Sequence, residues 1–383
     1  LRMLAKLKTF GLDYNDFPTM LDNVALVLRY ITIDIYKNSK PISFIFYVMT
    51  LTGSFAYFYE FVFSMFWGAF FYYGRIGRWD AVCVVFALSS CSITCVTKFV
   101  FMKLYSKEIK ETVDKFLKCD AQVIPDTRFA KTLRKRLRIV KRRAATIWII
   151  LALNGLIYIL IPFLVVILST VTGLVPMLDT PNYEIANTLN TVSAGFCVYT
   201  MISVAVYVII VVGYIESQML SLSNELDNVW TDIMNEFIRV RLRDIIKFHV
   251  TNIDLIHELE HEFRPTLAIE YAIMSFSIIT ELLGGLDKTY LQLPYTLIQI
   301  FMDCLSGQRL IDASNEFENA LYNCKWENFN AQNQKTVLFM LRMSQKTLAL
   351  SAGGVTNLDF QCLMIVLKST YSAYTTLKST MKK

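Results

Sequence analysis

Charge is scarce in this chain. Asp, Glu, Lys and Arg make up 18% of its 383 residues, where an ordinary soluble domain carries roughly 25%. That deficit, with 54% hydrophobic residues and a mean hydropathy of +0.42, excludes a typical water-soluble fold. The apolar residues are gathered in blocks, the pattern of a multi-span membrane protein. Paired cysteine motifs are missing too. The eight cysteines are scattered, mostly within apolar blocks (Cys83, Cys91, Cys95, Cys197, Cys304 and Cys362), and none forms a CxxC pair. This spacing gives neither a disulfide framework nor a thiolate metal site. Cys91 and Cys95, one helical turn apart, read as buried packing. No N-x-[ST] sequon occurs, so glycosylation says nothing about sidedness. No short apolar segment near Leu1 ends in a small-residue cleavage site, so no signal peptide is expected.

Seven apolar stretches are long enough to cross a bilayer, near 42–66, 80–104, 144–170, 189–214, 266–286, 289–307 and 355–379. About 20 residues suffice for a crossing helix, and the hydrocarbon core satisfies no backbone polar groups, so helices are expected. The fold class is therefore an all-α membrane protein with seven transmembrane helices. A tight turn from Gly284-Gly285 to Asp287 separates the fifth stretch from the sixth. The seventh is the most polar. Orientation follows from the basic residues. Segment 105–143 holds thirteen Lys and Arg, including LRKRLRIVKRR from Leu133 to Arg143, whereas 171–189 holds none, only Asp179 and Glu184. Basic loops stay in the cytoplasm, which places the N-terminus inside and the C-terminus outside, the inverse of a G-protein-coupled receptor. The basic run reads as an orientation signal beside anionic lipid, not as a nucleic-acid site.

One short string points elsewhere. HELEH, from His257 to His261, is a complete H-E-x-x-H, which on a helix sets two histidines and a glutamate on one face, as in zinc proteases. The string lies in a polar segment, 215–265, with helical periodicity. Phe248, Asn252, Leu255, Leu259 and Phe263, widened by Ile245, Ile253 and Ile256, line its apolar face. His257 and His261 fall on the polar flank among Asp254, Glu258 and Glu262. No third histidine follows at a useful spacing. Asp287, a candidate third ligand, lies far along the chain, roughly 39 Å from His261 along a continuous helix. HELEH therefore reads as the solvated side of an amphipathic helix, and no metal is expected.

The C-terminal third carries a family resemblance. From Leu297 the chain reads LIQIFMDCLSGQRLIDASNEFENALYNCKW, and further on QKTLALSAGGVTNLDFQCLMIVLKSTYSAYTTLKS. Gln299, Cys304, Gly307, Ser314, Ala320-Leu321-Tyr322 and Trp326 match the sixth span and following loop of insect odorant receptors. Gln345, Leu348, Leu350, Ala352-Gly353, Leu358, Phe360, Leu367-Lys368 and Tyr371-Ser372 match their closing stretch. The chain has Ala373-Tyr374 where the family usually has Tyr-Phe. Upstream, KFHVTNIDLIHELEHEFRPTLAIEY is similar to the family's entry into the fifth span through His249, Leu259-Glu260, Phe263 and Pro265. The chain resembles an odorant-specific, tuning subunit rather than the longer shared co-receptor.

That resemblance implies a ligand-gated, non-selective cation channel assembled as a heterotetramer with a co-receptor in the plasma membrane of a sensory neuron dendrite. It implies no enzyme activity and no cofactor. Residues 1–286 would hold the N-terminal segment and first five spans, and 287–383 the sixth span, an anchor helix and a pore-lining seventh, in one integral membrane domain. Gly353-Gly354 is expected to divide an anchor helix, about 332–350, from a membrane helix, about 357–380, with Asn357 as its N-cap. On that helix Ile365, Ser369, Ser372, Ala373, Thr376 and Thr380 share one arc and are the implied pore lining, Thr376 falling at the gate position. Helix–helix packing is the competing reading of the same stripe. A small apolar volatile is expected in the outer half of the bundle, near Phe86, Tyr158, Ile161, Val165, Phe196, Tyr199, Thr200, Tyr290 and Tyr295. Lys98 and Lys103 are placed to snorkel toward headgroups. Glu60, Glu270 and Asp303 are intramembrane acids with functional potential.

Overall fold

The computed structural model describes residues 16–75, 77–164, 182–229 and 235–381. An N-terminal helix, α1 (Phe17–Tyr30), opens the described chain. Asp16 caps it, accepting from Thr19 N at 3.3 Å, and a proline occupies its first turn. Phe17, Met20, Leu21, Val24, Ala25 and Leu28 turn inward at helical spacing. Next come α2 (Phe44–Tyr73), with two π-helical stretches at Phe58–Ser64 and Gly68–Tyr73, and α3 (Trp79–Leu104). Tyr105 breaks α3 from α4 (Ser106–Ala121). Three long helices follow: α5 (Arg128–Leu164), α6 (Asn182–Val229) and α7 (Asn235–Gly284).

Gly285, at φ +97°, turns the chain into the short α8 (Leu286–Thr289) and then α9 (Gln292–Asn323). After a 3-10 turn at Trp326–Asn328 comes α10 (Ala331–Ser344), capped by Asn330. A two-stranded antiparallel hairpin pairs Ser351 with Asn357 and Ala352 with Thr356. The last helix, α11, runs from Phe360 to Met381.

Among the described residues, five helices are long and apolar enough to cross a membrane: α2, α3, and most of α5, α6 and α7. This is a multi-pass membrane protein. Helices α9 and α11 are helical as expected but fall outside that apolar class.

Helix α6 is the hub, packing against α1, α2, α3, α5, α7 and α9. Its composition explains this. Every residue from Ile209 to Met219 is buried, three turns that cover every face of the helix, as a central element requires. Phe17 of α1 lies 3.9 Å from the Tyr214 ring, centroid to centroid.

Helix length divides the molecule into two layers. At 1.5 Å per residue, the 50 residues of α7 span roughly 75 Å, against about 30 Å for a hydrocarbon core. The surplus of α5, α6, α7 and α9 projects beyond the apolar bundle and packs with α1, α4, α10 and the hairpin into a polar layer. The basic segment 105–143, expected only as a charged loop, is largely helix here. Ile109, Val113 and Phe116 give α4 an apolar face, and Leu133, Leu137 and Val140 extend α5 downward.

The hairpin is clamped onto α7 and α9. Glu260 Oε2 accepts from Ser351 N at 2.8 Å, and Arg264 Nη2 donates to the Gly353 carbonyl at 3.2 Å. Ser314 Oγ of α9 accepts from Leu348 N at 3.2 Å. Gly353 and Gly354 take φ of +65° and +74°, the left-handed region that glycine enters without a Cβ penalty. The expected Asn357 cap is displaced, because that residue is taken up in strand pairing. Asp359 caps α11 instead, its Oδ1 accepting from Cys362 N at 2.7 Å.

At Gly307 the hairpin approaches α9 so closely that a Cβ would lie 2.0 Å from the Leu358 carbonyl oxygen. Gly307→Ala is therefore expected to cost at least the roughly 1–3 kcal/mol of overpacking, seen as a lower Tm of the purified protein. Gly195 on α6 has nothing within 4 Å of its added Cβ. Gly195→Ala should leave Tm unchanged or raised.

Candidate functional site

At the end of the bundle away from the polar layer, five helices enclose an apolar cavity of about 60 Å3. Phe61 of α2, Leu88, Cys91 and Ser92 of α3, and Asn154, Gly155 and Tyr158 of α5 form one side. Ala194, Cys197, Val198 and Met201 of α6, with Leu291, Gln292 and Tyr295 at the start of α9, form the other. The arrangement follows from the sequence locally. Tyr158 and Gly155 are one turn apart on α5, and Ala194, Cys197, Val198 and Met201 share one stripe of α6 at i, i+3, i+4, i+7 spacing. Tyr158 Oη and Gln292 Nε2 are buried there without a hydrogen-bond partner.

Of the nine residues expected to contact a ligand, the structure brings Tyr158 and Tyr295 together on this wall. Phe86 instead packs edge-on against Phe66, Phe70 and Phe276 at 5.4–5.9 Å. Phe196 lies against Phe99 and Tyr57. Tyr199 reaches the other way, its hydroxyl donating to the Val27 carbonyl of α1 at 2.9 Å. Thr200 is buried on α6 off this wall, and Tyr290 is 59% exposed. Ile161 and Val165 fall outside the described side chains. The cavity residues that sequence reasoning did not name include Asn154, Cys197, Met201 and Gln292. Their only signal was position on the same helical stripes as the named ones.

The implied pore residues share a different environment. Ile365, Ser369, Ser372, Thr376 and Thr380 are exposed on the single chain, and Ala373 is half-buried. Helix α11 leans on α7 and α9 through its first half, where Cys362 and Thr370 are buried. From Tyr371 to Thr380 no residue is buried. Thr376 Oγ1 donates to the Ser372 carbonyl and Thr380 Oγ1 to that of Thr376, each at 3.0 Å.

Between the two regions lies a buried ion pair. Lys98 Nζ of α3 is 2.7 Å from Glu270 Oε1 of α7, and Asp303 of α9 lines the same small crevice. The snorkelling expected of Lys98 does not occur, because its partner is inside: Lys98 is 5% exposed. Lys103 is held to the α1–α2 connection instead, its Nζ donating to Thr32 Oγ1 at 2.9 Å. Glu60 on α2 is 2% exposed, and among the described residues no cationic group pairs with it.

The comparisons with known proteins agree on one family. The family model described as "7tm Odorant receptor" matches residues 79–371, most of the chain. The chain belongs to the odorant receptor family. This is a family of receptors and ion channels, not of enzymes. Odorant receptor 22c of Drosophila melanogaster is 27% identical over 163 residues, covering 40% of each chain. Odorant receptor 13a of the same species is 26% identical over 160 residues, covering 36% of this chain and 38% of its own. The matched region thus spans about two-fifths of these relatives' length. The fold is similar to that of the insect olfactory receptor OR5 from Machilis hrabei in complex with eugenol, with TM-score 0.75 and 12% identity over 94% of this chain and 97% of that one.

Within this odorant receptor fold, each glutamate of the HELEH region has a structural partner. Glu258 pairs with Lys115 and accepts from Thr112 Oγ1 at 3.2 Å. Glu260 holds the hairpin, and Glu262 accepts from Thr112 Oγ1 at 2.5 Å. His257 and His261 are exposed, lining a polar cleft of about 580 Å3 between α4 and α7. The string is a helix-docking surface.

Lys98→Met strands Glu270 and Asp303 in the bundle and should cost about 3–5 kcal/mol, read as a large fall in Tm. The double variant Lys98→Met/Glu270→Leu should recover part of it. In the polar layer, Tyr214 Oη donates to Asp120 Oδ1 at 3.1 Å. Burial against α6 pushes the Asp120 carboxyl above its ordinary value, more than this hydrogen bond lowers it. The folded state therefore holds the proton more tightly than the unfolded one. Stability should fall as pH rises from the ordinary carboxylate range through the raised value. Asp120→Asn, which keeps an acceptor for Tyr214, should raise Tm at neutral pH and flatten that slope.

Proposed function

We propose that this chain is the odorant-binding, tuning subunit of a ligand-gated, non-selective cation channel formed with a co-receptor, as a heterotetramer. Its polar layer lies in the cytoplasm with the N-terminus. Seven spans, α9 and α11 among them, carry the chain through the plasma membrane of a sensory neuron dendrite, and the C-terminus is extracellular. The thirteen basic residues of 105–143 lie in or beside the polar layer, in keeping with this orientation. A small apolar volatile enters the cavity beside Tyr158 and Tyr295. It is held mainly by burial, at roughly 25 cal/mol per Å2 of apolar surface.

The observation that carries this reading is α11. A helix whose second half has no buried residue in its own chain is built to meet other subunits or water. Its threonines donate their protons back to the carbonyl one turn earlier, which leaves hydroxyl lone pairs facing outward. Such a surface suits hydrated cations, and no acidic ring is present on it to impose strong selectivity. Ligand binding opens the pore to the extent that the open arrangement holds the volatile more tightly than the closed one.

Co-expression with a co-receptor should give cation currents evoked by volatiles, and a C-terminal epitope should be labelled on intact cells. Thr376→Leu should reduce conductance or change ion preference while assembly and surface labelling persist. Surface complexes that stay silent to a broad volatile panel and bind none of its members would refute the reading. Unchanged permeation in the Thr376 variant would assign that face to packing.

A further inference from the structure

The cavity beside Tyr158 holds two buried side-chain donors without partners. Backbone carbonyls of its lining residues are already engaged by neighbouring side chains. The Phe61 carbonyl accepts from Ser89 Oγ at 2.9 Å and that of Cys91 from Thr94 Oγ1 at 2.6 Å. The Ser92 carbonyl accepts from the Tyr57 hydroxyl, and that of Cys197 from Cys95 Sγ at 3.6 Å. Asn154 Nδ2 donates to the Leu291 carbonyl at 3.5 Å. Those backbone carbonyls are spoken for.

What remains unmatched is mostly able to donate. Gln292 Nε2 and Tyr158 Oη are buried in the wall without partners. The amide nitrogen only donates, and the phenol donates and weakly accepts. Tyr295 Oη accepts from Gln299 Nε2 at 3.4 Å, which leaves its own proton free. Buried Glu60 and Glu281 do not line the cavity. Glu281 Oε1 is turned to Ser277 and Thr296, accepting at 3.0 and 2.9 Å.

We propose that this receptor selects volatile carbonyl compounds, namely ketones, aldehydes and esters. The carbonyl oxygen, with two lone pairs, accepts from Gln292 Nε2 and the Tyr158 hydroxyl, and the alkyl portion packs on Leu88, Val198 and Met201. A protonated alkylamine brings its own donors to those two unmatched donors and loses its hydration in an apolar cavity. An alkane leaves both donors unmet. An alcohol can accept from the wall, but must also find an acceptor for its own proton. The cavity of about 60 Å3 is smaller than the roughly 150 Å3 that accommodates benzene in an engineered apolar cavity, which favours short, unbranched members of the class. This inference deepens the ligand-gated reading above and rests on it.

The test compares currents from the co-expressed complex under a straight-chain methyl ketone and the alkane, alcohol and alkylamine of equal chain length. The ketone should act at the lowest concentration, with alkane and amine at least about tenfold weaker, as two net hydrogen bonds allow. Gln292→Met and Tyr158→Phe should each raise the ketone's half-maximal concentration roughly three- to tenfold and leave the alkane's within about twofold. Gln292→Leu replaces the first variant if that one fails to reach the cell surface. An alkane or amine as potent as the ketone, or a ketone preference that survives both substitutions, overturns the proposal while the receptor reading stands. Surface-labelled complexes with no volatile-evoked current, and no ketone bound to the purified complex, overturn both.

Discussion

The 50-residue α7 is more than twice as long as a bilayer's hydrocarbon core is thick, and it does not stop where the hydrocarbon would. A helix satisfies its own backbone hydrogen bonds only while it continues, so α5, α6, α7 and α9 carry that self-sufficiency out of the apolar bundle into a second, polar layer. Every other device in the molecule is fastened to those extensions. Helix α4 docks on α7 through Thr112 and Lys115, the hairpin is held by Glu260 and Arg264, and α1 buries Phe17 against Tyr214 of α6. The H-E-x-x-H string that suggests a metal site is the part of α7 where these fastenings crowd together. Its glutamates are engaged because helices must be attached to one another without a bilayer to press them together.

Two kinds of polar chemistry are then separated by layer. In the polar layer, charges meet in pairs across helices with water close by, as Lys115 and Glu258 do. In the bundle they are few, and Lys98 turns inward to Glu270 instead of outward to headgroups, while Glu60 has no cationic partner among the described residues. The cavity beside Tyr158 is a third case, with neutral donors and soft thiols, a weakly polar lining that burial alone makes hospitable to an apolar molecule.

Five of the seven expected spans were legible because twenty-odd apolar residues have few alternatives. The stretch read at 80–104 is α3 to within a residue, and the Gly284-Gly285 turn falls where the strings predict. The polar layer was harder to read. The basic run of 105–143 announces a cytoplasmic segment so strongly that the apolar stripe of Ile109, Val113 and Phe116 beneath it is easily overlooked. Partnerships made by tertiary packing were not legible at all: nothing near Lys98 in sequence announces Glu270. Nor does hydropathy say that Asn357 will be drawn into strand pairing and leave the cap to Asp359. The cavity was half legible. Aromatic residues on the right helices could be named, but whether Tyr158 turns inward while Tyr199 reaches toward α1 depends on rotation about each helix axis, which depends on neighbours. For that reason Phe86 and Phe196 belong to aromatic packing, and Gln292, a polar residue at a helix start, belongs to the cavity.

Helix α9 touches both ends of the problem. Its first turns supply Gln292 and Tyr295, and one continuous stretch later Gly307 lies hard against the Leu358 carbonyl, with Gln308 Oε1 accepting from Phe360 N at 3.2 Å. From Tyr295 to Gly307 is roughly 18 Å of unbroken helix. A push-rod of that stiffness cannot be nudged at its top without moving its foot, and at Gly307 there is no slack to absorb the stroke. As long as α9 stays straight, the root of α11 lies in the line of any displacement along its axis.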